Sequence, residues 1–301
     1  MCNMDILYEA VAERGHVCVG LDTTAEYVPE KERRGSDAES VLFYNKAIID
    51  STIDVVACYK VQIAYYEEMG IAGLKAFSET LKYLRLKAAL IISDIKRGDI
   101  ADTASRYAKG HFDGEFETDF VTLSPYMGMD SIEPWFEWAD KKGKGAFVLM
   151  RTSNKGRNDF ECLELKDGRR LYNAVGDKLA DLAAIRPGKH GYGAFGAVIG
   201  INPQSEEELK EAKSIRSDYT NLFFLIPGYG TQGGAASDVA LLLKEGNGGV
   251  VNASRSLLKA WHKAAQEQGS SAAEANNDIA AMAARQAAIE MRDAILKASG
   301  R

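Results

Sequence analysis

The sequence predicts an α/β protein, a single (β/α)8 TIM barrel with a long C-terminal helix. Three observations predict it. Eight short apolar, β-branched segments recur along the 301 residues, most of them separated by stretches of helical periodicity. Polar residues fall repeatedly at the carboxyl ends of those segments. The length suits a closed barrel, and no Pro/Ser-rich linker or shift in composition divides the chain. Residues 1–301 therefore read as one domain, with about 265–301 as a helical extension. A doubly wound open sheet is the competing architecture.

Residues 4–14 read as a helix and lead into a strand over 16–22 that ends in an acid, Asp22. A polar loop with Pro29 follows. The spacing of Val41, Leu42, Asn45, Ile48 and Ile49 predicts a helix over 37–51. A strand over 54–61 carries Lys60 near its end, and a helix over 64–86 comes next. The run 88–92 is too short for a helix and reads as a buried strand. Alternation puts Leu90, Ile92, Asp94 and Lys96 on one of its faces. A helix over 101–112, a strand over 119–124 closed by Pro125, and a helix over 131–141 with Ser131 as its cap continue the pattern. A strand over 145–151 then opens into a polar loop, 152–169, longer than most connections. A helix over 170–185, a strand over 195–200, a helix over 204–215 and strands over 221–226 and 249–253 complete the barrel. The Ala-rich tail, 272–298, has Met282, Ile289 and Leu296 at heptad spacing and reads as one long helix.

Composition narrows the function classes. The net charge of -6, without a basic tail or stripe, argues against a nucleic-acid partner but leaves room for an anionic small molecule. No apolar run approaches the ~20 residues that span a bilayer, so no membrane partner is expected. The four cysteines show no C-x-x-C spacing, and the first residues lack the basic and apolar regions of a signal peptide. A cytoplasmic protein with reduced thiols is the expectation.

Asp22, Lys60, Asp94 with Lys96, Ser124, Ser153 and Arg255 all fall at strand ends. Asp94-x-Lys96 alone would be an ordinary strand-end salt bridge. Seven such groups on one rim point to a site, because the functional face of a barrel is the one where strand ends and βα loops converge. Gly228-Tyr229-Gly230-Thr231-Gln232-Gly233-Gly234 follows the seventh strand, where glycines let backbone amides approach a phosphate. Arg255 stands where a guanidinium can fork onto that anion. Lysines set among Asp94 and Asp99 are held as ammonium ions, which disfavours an amine nucleophile. A metal site is disfavoured as well, because the lysine separates the carboxylates and the four histidines are scattered. A fixed ammonium facing an anionic substrate suits chemistry that builds negative charge on carbon and then protonates it.

Asp94-Ile95-Lys96-Arg97-Gly98-Asp99-Ile100, with Thr103 following, resembles the Asp-x-Lys-x-x-Asp-Ile signature of orotidine 5′-phosphate decarboxylases. The segments 42–50, 121–128, 151–154 and 227–234 resemble the longer, bacterial-type branch of that family. The resemblance implies that Lys96 donates a proton to C6 of the pyrimidine, within a charged array of Asp94, Lys60 and Asp99. It implies that Asp99 reaches into the partner subunit's site and Thr103 contacts the partner-bound ribose, while Asp22 holds a ribose hydroxyl. Ser153 would bind the base, a job also within reach of Thr152 or Asn154. Gly230, Gln232, Gly233 and Arg255 would hold the phosphate. The enzyme would be a cofactor-free, metal-free homodimer with shared active sites that makes UMP.

Three other functions are compatible with parts of the pattern. A magnesium-dependent β-keto acid decarboxylase would share the Asp-x-Lys-x-x-Asp logic. A phosphosugar aldolase would be trapped through a lysine by borohydride. A nucleotide-binding barrel without turnover would have no need of a lysine between two acids.

Overall fold

The computed structural model describes residues 2–200, 203, 205–229, 235–267 and 275–301. Its strands are β1 (Val17–Gly20), β2 (Cys58–Gln62), β3 (Ile91–Arg97), β4 (Phe120–Leu123), β5 (Gly145–Arg151), β6 (Phe195–Ile199), β7 (Phe224–Pro227) and β8 (Gly249–Ala253). They pair in chain order, all parallel, and β8 returns to β1 to close the barrel. The closed sheet, not the doubly wound alternative, is the architecture.

Period-two alternation sorts the strand residues into two cores. Val17, Val19, Tyr59, Val61, Ile91 and Val121 face outward into the layer between strands and helices. Cys18, Cys58, Ile92, Phe120, Phe147 and Val250 face inward and fill the barrel itself. The helix Asn3–Arg14 plugs the amino end of the barrel with Met4, Leu7 and Val11, all fully buried in that inner core. Asn3 fixes this plug, donating from Nδ2 to Asp119 Oδ1 at 3.2 Å just before β4. This apolar plug closes the amino end of the barrel interior.

Several local expectations shift. β3 begins at Ile91, three residues after the apolar run starts, because Ala88 turns through φ 54° at the end of the preceding helix. The 64–86 stretch divides into Ala64–Glu67 and Gly70–Leu86. Ser131 caps no helix: its hydroxyl donates to the carbonyl of Gly128 at 2.6 Å, and the α-helix starts later, at Phe136–Lys142.

The C-terminal helix Asn277–Ala298 packs on the outside, beside Asp37–Thr52. The heptad trio does not form its seam: Met282 is 72% exposed. The buried stripe is Ala280, Ala284, Ala288, Met291 and Ile295, and its three alanines let two helices approach closely. The part of the tail at 272–274 lies outside the described residues.

Candidate active site

At the carboxyl end of the barrel the inward-facing positions stop being apolar. Two residues beyond Cys58 on the same strand face stands Lys60, and two beyond that Gln62; on β3, Asp94 follows Ile92. The four charged groups form a row in space. Asp22 Oδ1 lies 3.5 Å from Lys60 Nζ, Lys60 Nζ 2.8 Å from Asp94 Oδ2, and Asp94 Oδ1 2.6 Å from Lys96 Nζ. The signs alternate along the row, so each charge faces its opposite.

Asp94 is the hub. Its Oδ2 accepts from Lys60 and, at 2.9 Å, from Gln62 Nε2; its Oδ1 accepts from Lys96 and, at 2.7 Å, from Thr122 Oγ1. Four donors occupy the roughly four lone-pair sites of an ionised carboxylate. Burial opposes ionisation of Asp94, but the charges of Lys60 and Lys96 and their hydrogen bonds outweigh it and hold the carboxyl well below its ordinary range. Burial likewise opposes the Lys60 ammonium. Asp22 and Asp94 overcome that penalty and hold its pKa above the usual lysine value. Lys60 is a fixed cation.

Lys96 is half exposed, unlike the buried Lys60 and Asp94. Strand alternation alone does not place it. The β3–β4 register slips between Ser93 and Arg97, and Lys96 takes a left-handed backbone with φ 44°. Ala101, with φ 49°, is left-handed too, so strained residues bracket the segment that carries Asp99.

A cavity of about 220 Å³ opens above Asp22, Lys60 and Asp94, with Gln62, Asn252 and Arg255 also in its lining. Lys96 is not among the lining residues and reaches the cavity's edge through its contact with Asp94. Ser254 donates to Asp22 Oδ2 at 2.8 Å, which leaves Asp22 Oδ1 ion-paired but without a hydrogen bond among the described residues. Gly20 makes room for this contact, because a Cβ there would stand 2.0 Å from Ser254 Oγ. Arg255 is exposed at the mouth, at the start of the short helix Arg255–Leu258.

The remaining sequence candidates stand apart. Asp99 is half-buried and accepts the amide of Ile100 at 2.9 Å; Thr103 is exposed on the helix Ala101–Phe112. Neither lines the cavity of this chain. Ser153 is half-buried with its backbone against Gly200, and Thr152 is tied to Asn154 and Glu161. Gly230, Gln232 and Gly233 lie outside the described residues. Among the described residues, no group of three or more His, Cys, Asp or Glu side chains could hold a metal ion, and no helix is long and apolar enough to cross a membrane.

Sequence reasoning missed Gln62, Thr122 and Ser254. For Gln62 the signal was present, since it shares the face of Lys60 two residues away. Thr122 shares the inward face of Phe120, but a lone threonine in a strand carries no mark of function.

Residues 15–268 match the family model described as "Orotidine 5'-phosphate decarboxylase / HUMPS family". The chain is 52% identical over 296 residues to the orotidine 5′-phosphate decarboxylase of Clostridium perfringens, and 50% identical over 297 to that of Clostridium tetani. In both cases the alignment covers 98% of each chain. The solved structure of Leishmania donovani OMP decarboxylase superposes with a TM-score of 0.74 at 30% identity, covering 100% of both chains. With identity this high over nearly the full length, and the Asp/Lys row at the mouth of a matching barrel, the chain belongs to the orotidine 5′-phosphate decarboxylase family.

Proposed function

We propose that the cavity at the carboxyl end of the barrel decarboxylates orotidine 5′-phosphate to UMP, the last step of de novo pyrimidine synthesis, with Lys96 as the proton donor. The reaction follows from family membership. The residue roles rest on one observation, the row Asp22–Lys60–Asp94–Lys96 that ends in a half-exposed ammonium.

The C6–carboxylate bond breaks with its electron pair left on C6, CO₂ departs, and the Lys96 ammonium supplies the proton that makes the new C6–H bond. A cation already in place stabilises the charge as it develops, without reorganisation. Asp94, saturated by four donors, holds Lys96 and does not itself take the proton. A substrate carboxylate set beside Asp94 is also raised in energy before it leaves. Lys60 pairs with Asp22 and helps to keep Asp94 ionised. All these groups are side chains, so the reading needs no cofactor and no metal.

Asp22, in the lining of the cavity, suits a ribose hydroxyl, and Arg255 at the mouth suits the phosphate. Gly230, Gln232 and Gly233 would complete the phosphate site, and Ser153 would bind the base. Phosphate binding remote from C6 contributes energy that can be spent on orientation and desolvation at the reacting carbon.

Asp99 and Thr103 are read as serving the partner's site in a homodimer. The exposed side chains Ile100, Tyr126, Met127 and Phe160, on loops after β3, β4 and β5, support a contact between copies there. Residues 1–301 are read as one catalytic unit, and the four free thiols suit the cytoplasm.

Metal-stripped protein mixed with orotidine 5′-phosphate tests the reading by loss of orotate absorbance. Rapid conversion to UMP is expected. No turnover by folded protein would overturn it. Mixing inactive Lys96→Ala and Asp99→Ala proteins tests the shared site, because mixed dimers then contain one intact site and regain activity.

A further inference from the structure

We propose that Thr122 is a positioning residue for the proton donor, setting both the backbone of Lys96 and the direction of the Asp94 carboxylate. The inference rests on the assignment of Lys96 made above and deepens it.

Thr122 lies on β4 with 1% of its surface exposed and faces the bulge in β3. The register slip brings two successive amides of β3 to Thr122. Thr122 Oγ1 takes both, accepting from Ile95 N and Lys96 N at 3.0 Å each. Its hydroxyl hydrogen is then committed to Asp94 Oδ1 at 2.7 Å. Two bonds accepted and one donated exhaust what a hydroxyl can do.

These three bonds act on one object. The left-handed φ of 44° at Lys96 is costly for a residue with a Cβ and persists only where surroundings fix it. Thr122 binds the two amides that flank Ile95 and so holds in place the peptide plane from which the Lys96 backbone turns. The same oxygen holds Asp94 Oδ1, the atom that receives Lys96 Nζ at 2.6 Å. Backbone and side chain of the proton donor are thus referred to a single buried hydroxyl. A threonine serving only to satisfy a bulge would need the two amide bonds and no contact with the carboxylate.

The experiment compares kcat, KM and thermal stability of Thr122→Val and Thr122→Ser, with Lys96→Ala as a parallel variant. Valine keeps the shape and removes the hydroxyl. Thr122→Val is expected to lower kcat about 10- to 100-fold, the range of a hydrogen bond to a charged group, with KM within about twofold. Thr122→Ser is expected to stay within about threefold of wild type, because the hydroxyl returns. If valine prevents folding, Thr122→Ala carries the same comparison. A hydroxyl-free variant with wild-type kcat, an effect on KM alone, or a serine variant as slow as valine would overturn the proposal. Activity surviving in Lys96→Ala would overturn the underlying assignment. Loss there with full activity in Thr122→Val would overturn the positioning role alone.

Discussion

Lys60 stands between two carboxylates, 2.8 Å from Asp94 and 3.5 Å from Asp22, with 6% of its side chain exposed. A single buried ammonium therefore balances two acids that come from different strand ends. Breaking a buried pair by deleting one partner leaves uncompensated charge, which costs about 3–5 kcal/mol. Lys60→Ala is expected to lose stability of that order in urea denaturation, together with activity. A variant as stable as wild type would show that water, not Lys60, compensates the acids.

Gly20→Ala tests how the row is anchored. An added Cβ would sit 2.0 Å from Ser254 Oγ and 2.8 Å from Asn252 Oδ1, so Ser254 must leave Asp22. Overpacking of this kind costs about 1–3 kcal/mol. The expected result is a raised KM for orotidine 5′-phosphate with the fold intact. An unchanged KM would separate Asp22 from substrate binding.

Arg255→Ala is expected to weaken UMP binding about 10- to 100-fold and uridine binding little, since only UMP carries the phosphate. Calorimetric titration of both ligands checks it. Equal losses for UMP and uridine would remove Arg255 from the phosphate site.

Two histidines outside the site make stability depend on pH. His16 and His111 are buried, and burial depresses each pKa to about 4. The folded-state values lie below the unfolded value of about 6.5, so as pH falls the unfolded chain takes up protons first. Their contribution is present above about pH 6.5 and is lost as pH falls toward 4. Each is expected to remove about 2 kcal/mol between pH 7 and pH 5. Urea denaturation at both pH values, with His111→Phe showing a shallower slope, is the check.

The C-terminal helix offers the sharpest contrast between pattern and packing. Ala284→Leu, in the buried stripe, is expected to destabilise by about 1–3 kcal/mol, and Met282→Ser by less than about 0.5 kcal/mol. The heptad assignment would require the reverse order. It fails because alanines carry little hydrophobic weight in a sequence, yet small side chains are what close helix packing demands.

The barrel was legible because its signals are redundant: eight strands repeat, and six of them end in a polar group on one rim. Asp94 and Lys60 were legible for the same reason, as charges where alternation calls for apolar residues. Lys96 was found by its neighbours, though its position depends on a bulge that alternation cannot foresee. Thr122 and Ser254 were not legible, because their roles arise from strands distant in sequence meeting at Asp94 and Asp22. Asp99 and Thr103 were singled out by the family signature alone, and neither lines the cavity of this chain.

The most direct test of the central claim is Lys96→Ala, measured for both turnover and UMP binding. The account predicts that decarboxylation of orotidine 5′-phosphate falls by several orders of magnitude while the folded variant still binds UMP. Near-normal turnover without Lys96 would contradict it and assign the proton to another group.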